Sequence, residues 1–409
     1  MSHSFQCRSC GSQTGQPILD LGVQPLANNL LLPSDLGRSE PKFPLRLALC
    51  RSCWLLQILD LVPPVELFSE YLYFSSFSDF MVRHAREAAE RYVREFGLGS
   101  QSLVVEVASN DGYFLQHFKA AGVPSLGIEP ARNIAKVARE KGIETLEEFF
   151  GESLALQLAA EGRQADLVLG NNVFAHAPDT NDFVAGLRKA LKPRGRIILE
   201  FPYAVDFIEK TEFDTIYHEH VFYFSLTALE PLFQRQGLEI FHVERLPIHG
   251  GSLRLFAGIT GAHEKQSSVR ALLDEENAWG IKSLDYYEKF ARRVLDLKDS
   301  LLRTIGELRR SGKSVAAYGA SAKGSTLLNF FGLGKESLDF VADRSTYKQG
   351  RLTPGTHIPI LPPSALLERK PDHTLLLTRN FAEEILEQQK AYRERGGKFI
   401  IPIPKVSVV

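Results

Sequence analysis

Cysteine is scarce in this 409-residue chain: there are four, and none lies beyond residue 53. A disulfide framework therefore cannot hold most of the fold together. No apolar run is long enough to cross a bilayer, and the start, MSHSFQCRSC, has neither the charged nor the apolar region of a signal peptide. These absences place the protein in the cytoplasm, with no membrane partner. An excess of one charge is missing too, since the formal net charge is -1 with a pI near 6.8. That argues against nucleic acid or an anionic surface as a partner. No GxGxxG follows a strand, which disfavours NAD, and no Walker A sequence occurs, so nucleotide hydrolysis does not follow. What is present is 44% apolar residues, ample for sizeable cores, in a chain long enough for more than one domain.

The chain is organised around Leu103 to Gly112, LVVEVASNDG. Leu103, Val104, Val105 and Val107 form a nearly continuous, mainly β-branched run, which suits a strand buried on both faces of a parallel sheet. Ser109-Asn110-Asp111-Gly112 supplies a turn where backbone can lie close to a ligand, and Tyr113 to Ala121 reads as the next helix. A second strand, Ser125 to Ile128, ends in Glu129, where an acidic side chain can accept from a ribose hydroxyl. With Glu106, this gives acidic groups suited to a ligand with two ribose hydroxyls and an ammonium group. A third strand, Ala165 to Leu169, runs into Asn171-Asn172-Val173. The set resembles the nucleoside pocket of a class I S-adenosylmethionine (SAM) methyltransferase.

The four cysteines are spaced Cys7-x-x-Cys10 and Cys50-x-x-Cys53. Each two-residue gap lets both thiolates reach one tetrahedral metal, so the pattern points to structural zinc in a small β-rich module. Four protein ligands leave no open coordination position for catalysis. A pair of disulfides is the alternative, and a cytoplasmic location disfavours it.

Residues 69 to 87, SEYLYFSSFSDFMVRHARE, begin with Tyr71, Tyr73, Phe74 and Phe77 and continue as an amphipathic helix capped by Ser78 or Asp79. The aromatics suit a core, or a lid or substrate wall beside the cofactor strand. Further on, Asn181 to Leu191 reads as a helix ended by Lys192-Pro193-Arg194-Gly195, with Arg196 to Glu200 as the following strand. His176 follows the third strand's carboxyl end, where open α/β sheets bind ligands. The densest chemistry is Phe213 to Phe224, FDTIYHEHVFYF. Its histidines and glutamate, walled by aromatics, can serve as general bases. The spacing is HEH rather than HExxH, which removes the helical metalloprotease reading, although His218 and His220 on one strand face can still bind a metal. Pro247 to Phe256 reads as a tight turn entering a strand, and residues 265–311 as a charged, solvated helical connector. A second α/β unit starts at Ser314: a strand Val315 to Tyr318 turns through Gly319-Ala320-Ser321-Ala322-Lys323 into a helix, an anion cradle by its free amides and helix dipole. A strand at Leu338 to Ala342 and a last strand at Thr374 to Leu377 complete a smaller doubly wound sheet.

Taken in order, the paired CxxC, EVASNDG, NNVFAHAPD, YHEHVFYFSL, HGGSLR, YGASAKGSTLLN and DRSTYKQGRLTPGTHIPI resemble one family over essentially the whole chain. It is the three-domain sugar C-methyltransferases acting on nucleotide-linked 4-keto-6-deoxy sugars in antibiotic and polysaccharide biosynthesis. The resemblance implies a zinc-binding module (residues 1–66), a SAM-dependent methyltransferase domain (67–264), the helical connector (265–311) and a C-terminal Rossmann-like domain that helps bind the nucleotide sugar (312–409). It implies His220 as base, with Glu219, Tyr217, His176 and Tyr71 around the sugar and Tyr73 beside them on the substrate. SAM would contact Glu106, Asn110, Asp111, Glu129 and Asn171, and the diphosphate of a dTDP-sugar would lie against Ser321, Ala322 and Lys323. A monomer is expected. C3 is the family's usual position, and members acting at C5 share the motifs. Without the resemblance, O- or N-methylation of a small molecule, or a silent scaffold sensing SAM and a sugar nucleotide, fits the same residues.

Overall fold

A computed structural model of the chain describes residues 5–68 and 74–409. Its first part is an antiparallel sheet of β1 (Gly15–Pro25), β2 (Lys42–Cys50) and β3 (Leu56–Ile58). Period-two alternation sets its faces: Leu45, Leu47 and Leu49 are buried, while Arg46 turns outward to Asp60. The fourth strand of this sheet, Phe222–Tyr223, comes from far along the chain and pairs with β3.

After α1 (Pro64–Phe68), α2 (Asp79–Phe96) begins at Ser78, whose hydroxyl accepts the Met81 amide proton. Met81, Ala85, Ala88, Ala89 and Tyr92 form its one buried stripe. There follow β4 (Val104–Val107), α3 (Leu115–Ala120), β5 (Ser125–Ile128), α4 (Arg132–Glu140), β6 (Thr145–Leu146) and α5 (Glu152–Ala160). Next come β7 (Ala165–Asn171), α6 (Thr180–Ala190), β8 (Leu191–Pro202), α7 (Ala204–Glu209) and β9 (Phe222–Tyr223). The unit closes with α8 (Leu226–Arg235), β10 (Leu238–Leu246) and β11 (Ser252–Ile259). Seven of these strands make one sheet in the order β10-β11-β8-β7-β4-β5-β6, parallel except where β11 lies antiparallel between β8 and β10. The expected break at Lys192 to Gly195 is absent: β8 starts at Leu191 and absorbs Pro193 and Gly195 at a register shift beside β7. Only glycine fits at 195, since a Cβ there would meet the Ala165 carbonyl oxygen at 2.7 Å.

The connector is less solvated than its charge suggested. In α10 (Leu284–Arg310), which follows α9 (Ser267–Trp279), a stripe from Tyr286 and Tyr287 through Phe290, Val294, Leu297 and Leu301 to Ile305 is buried. Those positions recur at helical spacing between the charges, so the helix is amphipathic and its apolar face joins the core. The last unit contains β12 (Val315–Tyr318), α11 (Ala322–Phe331), β13 (Val341–Ala342), β14 (Ile360–Leu361), α12 (Ala365–Arg369) and β15 (His373–Leu376). Beyond the strand expected to be last stand α13 (Ala382–Gln388), α14 (Lys390–Glu394), β16 (Lys398–Ile401) and β17 (Ser407–Val408). Its sheet runs β14-β13-β12-β15-β16-β17, parallel up to the antiparallel edge strand β17.

One aromatic cluster fixes the geometry around the carboxyl end of β7. The Phe174 ring stacks on Phe224 at 4.4 Å and meets Phe183, Phe201 and Phe233. Each such buried ring contributes about 1.5–3 kcal/mol by transfer. The cluster locks the turn at Phe174–His176 against the segment after β9.

Candidate active site

At the end of β4 the backbone turns sharply, with Ala108, Asn110 and Gly112 at φ of 53°, 49° and 77°. Left-handed alanine and asparagine are held only where surroundings over-determine them. Here the Asn110 amide donates to Glu129 Oε2 at 3.0 Å and the Ala131 amide to Oε1 at 2.9 Å, so Glu129 braces the turn from a carboxylate itself fixed after β5. The turn also presses on β5 so closely that a Cβ at Gly127 would meet Ser109 Oγ at 2.4 Å. Three buried polar atoms, Glu106 Oε2, Ser109 Oγ and Asp111 Oδ1, have no hydrogen-bond partner among the described residues. Burial, and then the charges of Glu129 and Asp111, push the Glu106 carboxyl well above the ordinary value. Unmet acceptors of this kind fit a cofactor that brings hydroxyl and ammonium donors. Asn171 closes the neighbouring strand β7.

A short turn at Ser75–Phe77 lies over this site. The Ser75 amide donates to Asn110 Oδ1 at 2.8 Å, and the Ser76 hydroxyl donates to Asp111 Oδ2, which also accepts from Lys141 Nζ at 2.9 Å. Sequence reasoning missed Ser76 and Lys141, because their partners lie 35 and 30 residues away. Tyr71 and Tyr73 lie outside the described residues.

Tyr217 to His220 is not a strand but a turn leading into β9. His220 Nδ1 lies 2.9 Å from the Thr215 carbonyl oxygen and Nε2 lies 2.8 Å from the Tyr217 hydroxyl. A carbonyl only accepts, so Nδ1 carries the proton and Nε2 offers its lone pair to the tyrosine hydroxyl. The His176 ring meets that of His220 edge to face at 4.8 Å. Burial pushes His176 down to about 4, despite its hydrogen bond to the Glu219 backbone, so it is neutral near pH 7. Glu219, 5% exposed, accepts from Asn28 Nδ2 at 2.6 Å. His218 faces away: its Nε2 donates to the Pro44 carbonyl at 3.1 Å, and burial lowers its basicity. His218 and His220 thus do not share a metal-binding face, and among the described residues the metal-ligand clusters are limited to the cysteines.

Those four Sγ atoms lie within 4.8 Å of one another, with Cys7 and Cys53 at 3.5 Å and Cys10 and Cys50 at 3.6 Å. A zinc ion with bonds of about 2.3 Å would set tetrahedral sulfur separations of about 3.8 Å, so the site fits. Amide protons of Cys10 and Ser52 point at Cys7 and Cys50 sulfur, as suits thiolates. The hydrogen bond from Cys53 pulls the Cys7 thiol down to about 5.

In the third sheet, β13 lies on one side of β12 and β15 on the other, which makes a crevice at their carboxyl ends. Ser321 caps α11 by accepting the Gly324 amide, and the Ala320 amide is taken by Asp343, so the cradle offers fewer amides than its sequence implied. Burial pushes the Lys323 ammonium down, against the pull of Asp214 and Glu212. Arg379 ties the crevice to the previous unit, its guanidinium 3.1 Å from both Glu212 and Asp214. Beside it Thr378 Oγ1 and Asn380 Oδ1 are buried without a partner among the described residues.

Three family models match in succession: a zinc binding domain over residues 7–68, a methyltransferase domain over 81–243 and a C-methyltransferase C-terminal domain over 247–404. The C-methyltransferase NovU of Streptomyces niveus is 38% identical over 405 residues, which is 99% of this chain and 96% of that protein. Among solved structures, the magnesium protoporphyrin IX methyltransferase ChlM of Synechocystis PCC 6803 with bound SAH overlaps 43% of this chain and 82% of its own. Its identity is 14% and its TM-score 0.35. A SAM-dependent methyltransferase from Clostridium acetobutylicum ATCC 824 overlaps 44% and 92%, at 10% identity and a TM-score of 0.36.

Proposed function

The chain belongs to the SAM-dependent C-methyltransferase family, and from that premise we propose that its acceptor is C3 of a dTDP-linked 4-keto-6-deoxy sugar. The reading is carried by one observation, the tautomer of His220: Thr215 holds the Nδ1 proton, which leaves the Nε2 lone pair beside Tyr217 and His176. A ketone at C4 acidifies the proton on the neighbouring carbon. His220 Nε2 removes that proton, and Tyr217 donates to the enolate oxygen that results, beside the neutral His176, whose own N–H is held by the Glu219 carbonyl. Glu219 orients the sugar or the histidine. SAM, when bound, would supply an electrophilic methyl group on a sulfonium: the electron pair on the sugar carbon would form the new carbon–carbon bond as the methyl–sulfur bond breaks and S-adenosylhomocysteine leaves with that bond's electron pair.

Glu106, Asn110, Asp111, Glu129 and Asn171 would hold SAM, and the unmet acceptors at Glu106, Ser109 and Asp111 support this. The diphosphate would lie against Ser321, Ala322 and Lys323, with Thr378 and Asn380 in the same crevice. Incubation with methyl-labelled SAM and a dTDP-4-keto-6-deoxy hexose tests the reading by mass and carbon NMR of the product. A methyl bonded to C3 is expected, and a methyl on oxygen or nitrogen would overturn it. The enzyme should also exchange the α-carbon proton for deuterium, and His220→Asn should lose about 10²- to 10⁴-fold in turnover. The same variant should bind SAM normally by calorimetry.

A further inference from the structure

We infer that Asn28, in the cysteine-bearing module, is a positioning residue for the reaction, holding Glu219 in place beside the base. The inference rests on Glu219 acting at the sugar, as proposed above. Asn28 Nδ2 donates to Glu219 Oε1 at 2.6 Å across 191 residues of sequence. Glu219 is 5% exposed, so the amide is a donor to a nearly desolvated carboxylate. The loop that presents Asn28 is fastened at both ends. Pro25 ends β1 on one side, and on the other Leu31 exchanges backbone hydrogen bonds with Leu352 at 3.1 and 2.8 Å. Between them the Asn29 and Leu30 amides close a tight turn on Leu26 and Asn28.

Asn28 does not act alone in this module. Pro44, next to β2's buried leucines, accepts from His218, and the Ile58 amide donates to the Val221 carbonyl at 2.9 Å. The Val221 amide in turn donates to Ala175, the neighbour of His176. Each residue from His218 to Val221 other than the base is therefore gripped by the first sheet or by the β7 turn. The cysteine-bearing module is a template on which Tyr217 to His220 is set, and among the described bonds Asn28 is its side chain on a reacting-site carboxylate.

The test uses the zinc-loaded, full-length enzyme with SAM and a dTDP-4-keto-6-deoxy hexose, comparing Asn28→Ala, Asn28→Asp, Glu219→Gln and the double variant Asn28→Ala/Glu219→Gln. Asn28→Ala should lower kcat about ten- to hundredfold, with SAM affinity unchanged. Asn28→Asp, which sets carboxylate against carboxylate, should be at least as impaired. The double variant should be no worse than Glu219→Gln, because Asn28 acts through that carboxylate. Full turnover by Asn28→Ala alongside an impaired Glu219→Gln, or multiplicative losses in the double variant, would overturn the inference alone. Full turnover by Glu219→Gln would bring down the reading of Glu219 and the inference with it. If the wild type leaves this sugar untouched, the substrate reading fails, and amide exchange across residues 216–221 decides. Asn28→Ala should then speed that exchange at least threefold, and no change overturns the inference.

Discussion

In the proposed reaction the turn after β4 and the segment Tyr217 to His220 serve one methyl transfer, yet they are held in opposite ways. The turn takes its partners from residues 75 to 141: Glu129 accepts the Asn110 amide, and Ser75, Ser76 and Lys141 bond Asn110 and Asp111. Apart from the overlying Ser75 turn, these belong to one sheet and its helices. The segment instead hangs among three units. Asn28 and Pro44 reach it from the first module, and its flanks are held by Ile58 of the first sheet and by Ala175 at Val221, and by Thr326 of α11 at the Ile216 carbonyl. The proposed cofactor grip is thus a local property of the chain, while the geometry of the proposed base is a property of the whole assembly. Binding of SAM and transfer of its methyl should therefore be separable by experiment.

Metal removal should separate them most widely. The four thiolates close the ends of the β-rich module, and structural zinc commonly supplies about 10–16 kcal/mol toward folding such a unit. Chelation, or Cys10→Ser, should abolish methyl transfer while SAM still binds, because no side chain of that module contacts the β4 turn in the described bonds. Calorimetry with SAM beside a turnover assay checks this. Equal loss of both would show that the first two sheets form one cooperative unit, which their continuous core permits.

The converse variant has a smaller effect. Glu106→Gln keeps the shape of the β4 turn but removes a buried acceptor with an unmet oxygen. A hydrogen bond to a charged group contributes about 1.5–3 kcal/mol, so SAM affinity should fall about ten- to hundredfold. Turnover at saturating SAM should stay within about threefold of wild type, since none of the described bonds joins His220, Tyr217 or Glu219 to Glu106. A matching drop in kcat would mean that the two regions are not separable after all.

The same contrast explains what could be read without coordinates. The β4 turn was legible because its parts are adjacent in sequence: an apolar strand, a left-handed turn, then an acid after the next strand. The cysteine pairs were legible because two-residue spacing carries its own geometry. HEH marked the proposed base, but not that His218 would face Pro44 while His220 faces Tyr217, since that choice is made by strand β3 pairing with β9. Asn28, Ser76 and Arg379 carried no local pattern at all. Their partners lie 35 to 191 residues away, and only folding brings them together. The connector misled for another reason: its charges are real, but they occupy one face of α10 and conceal the buried stripe on the other.

The finest distinction is in pH. Burial raises the Glu106 carboxyl well above its ordinary 4.5, with Glu129 and Asp111 adding to the effect. Above 4.5 the unfolded chain has lost this proton while the folded, SAM-free protein keeps it. The folded state then binds more protons, so its stability from this group falls as pH rises toward the raised value. Hydroxyl and ammonium donors favour the carboxylate, so SAM should offset that loss and release a proton on binding in this range. The thermal shift given by SAM should therefore grow as pH rises from about 5 to 8, by a few degrees at most. Calorimetry in buffers of different ionisation enthalpy counts the proton directly. Glu106→Gln should abolish both the release and the slope, whereas His220→Asn, at the other region, should leave them intact. If Glu106→Gln keeps the slope, the titrating group lies elsewhere in the site.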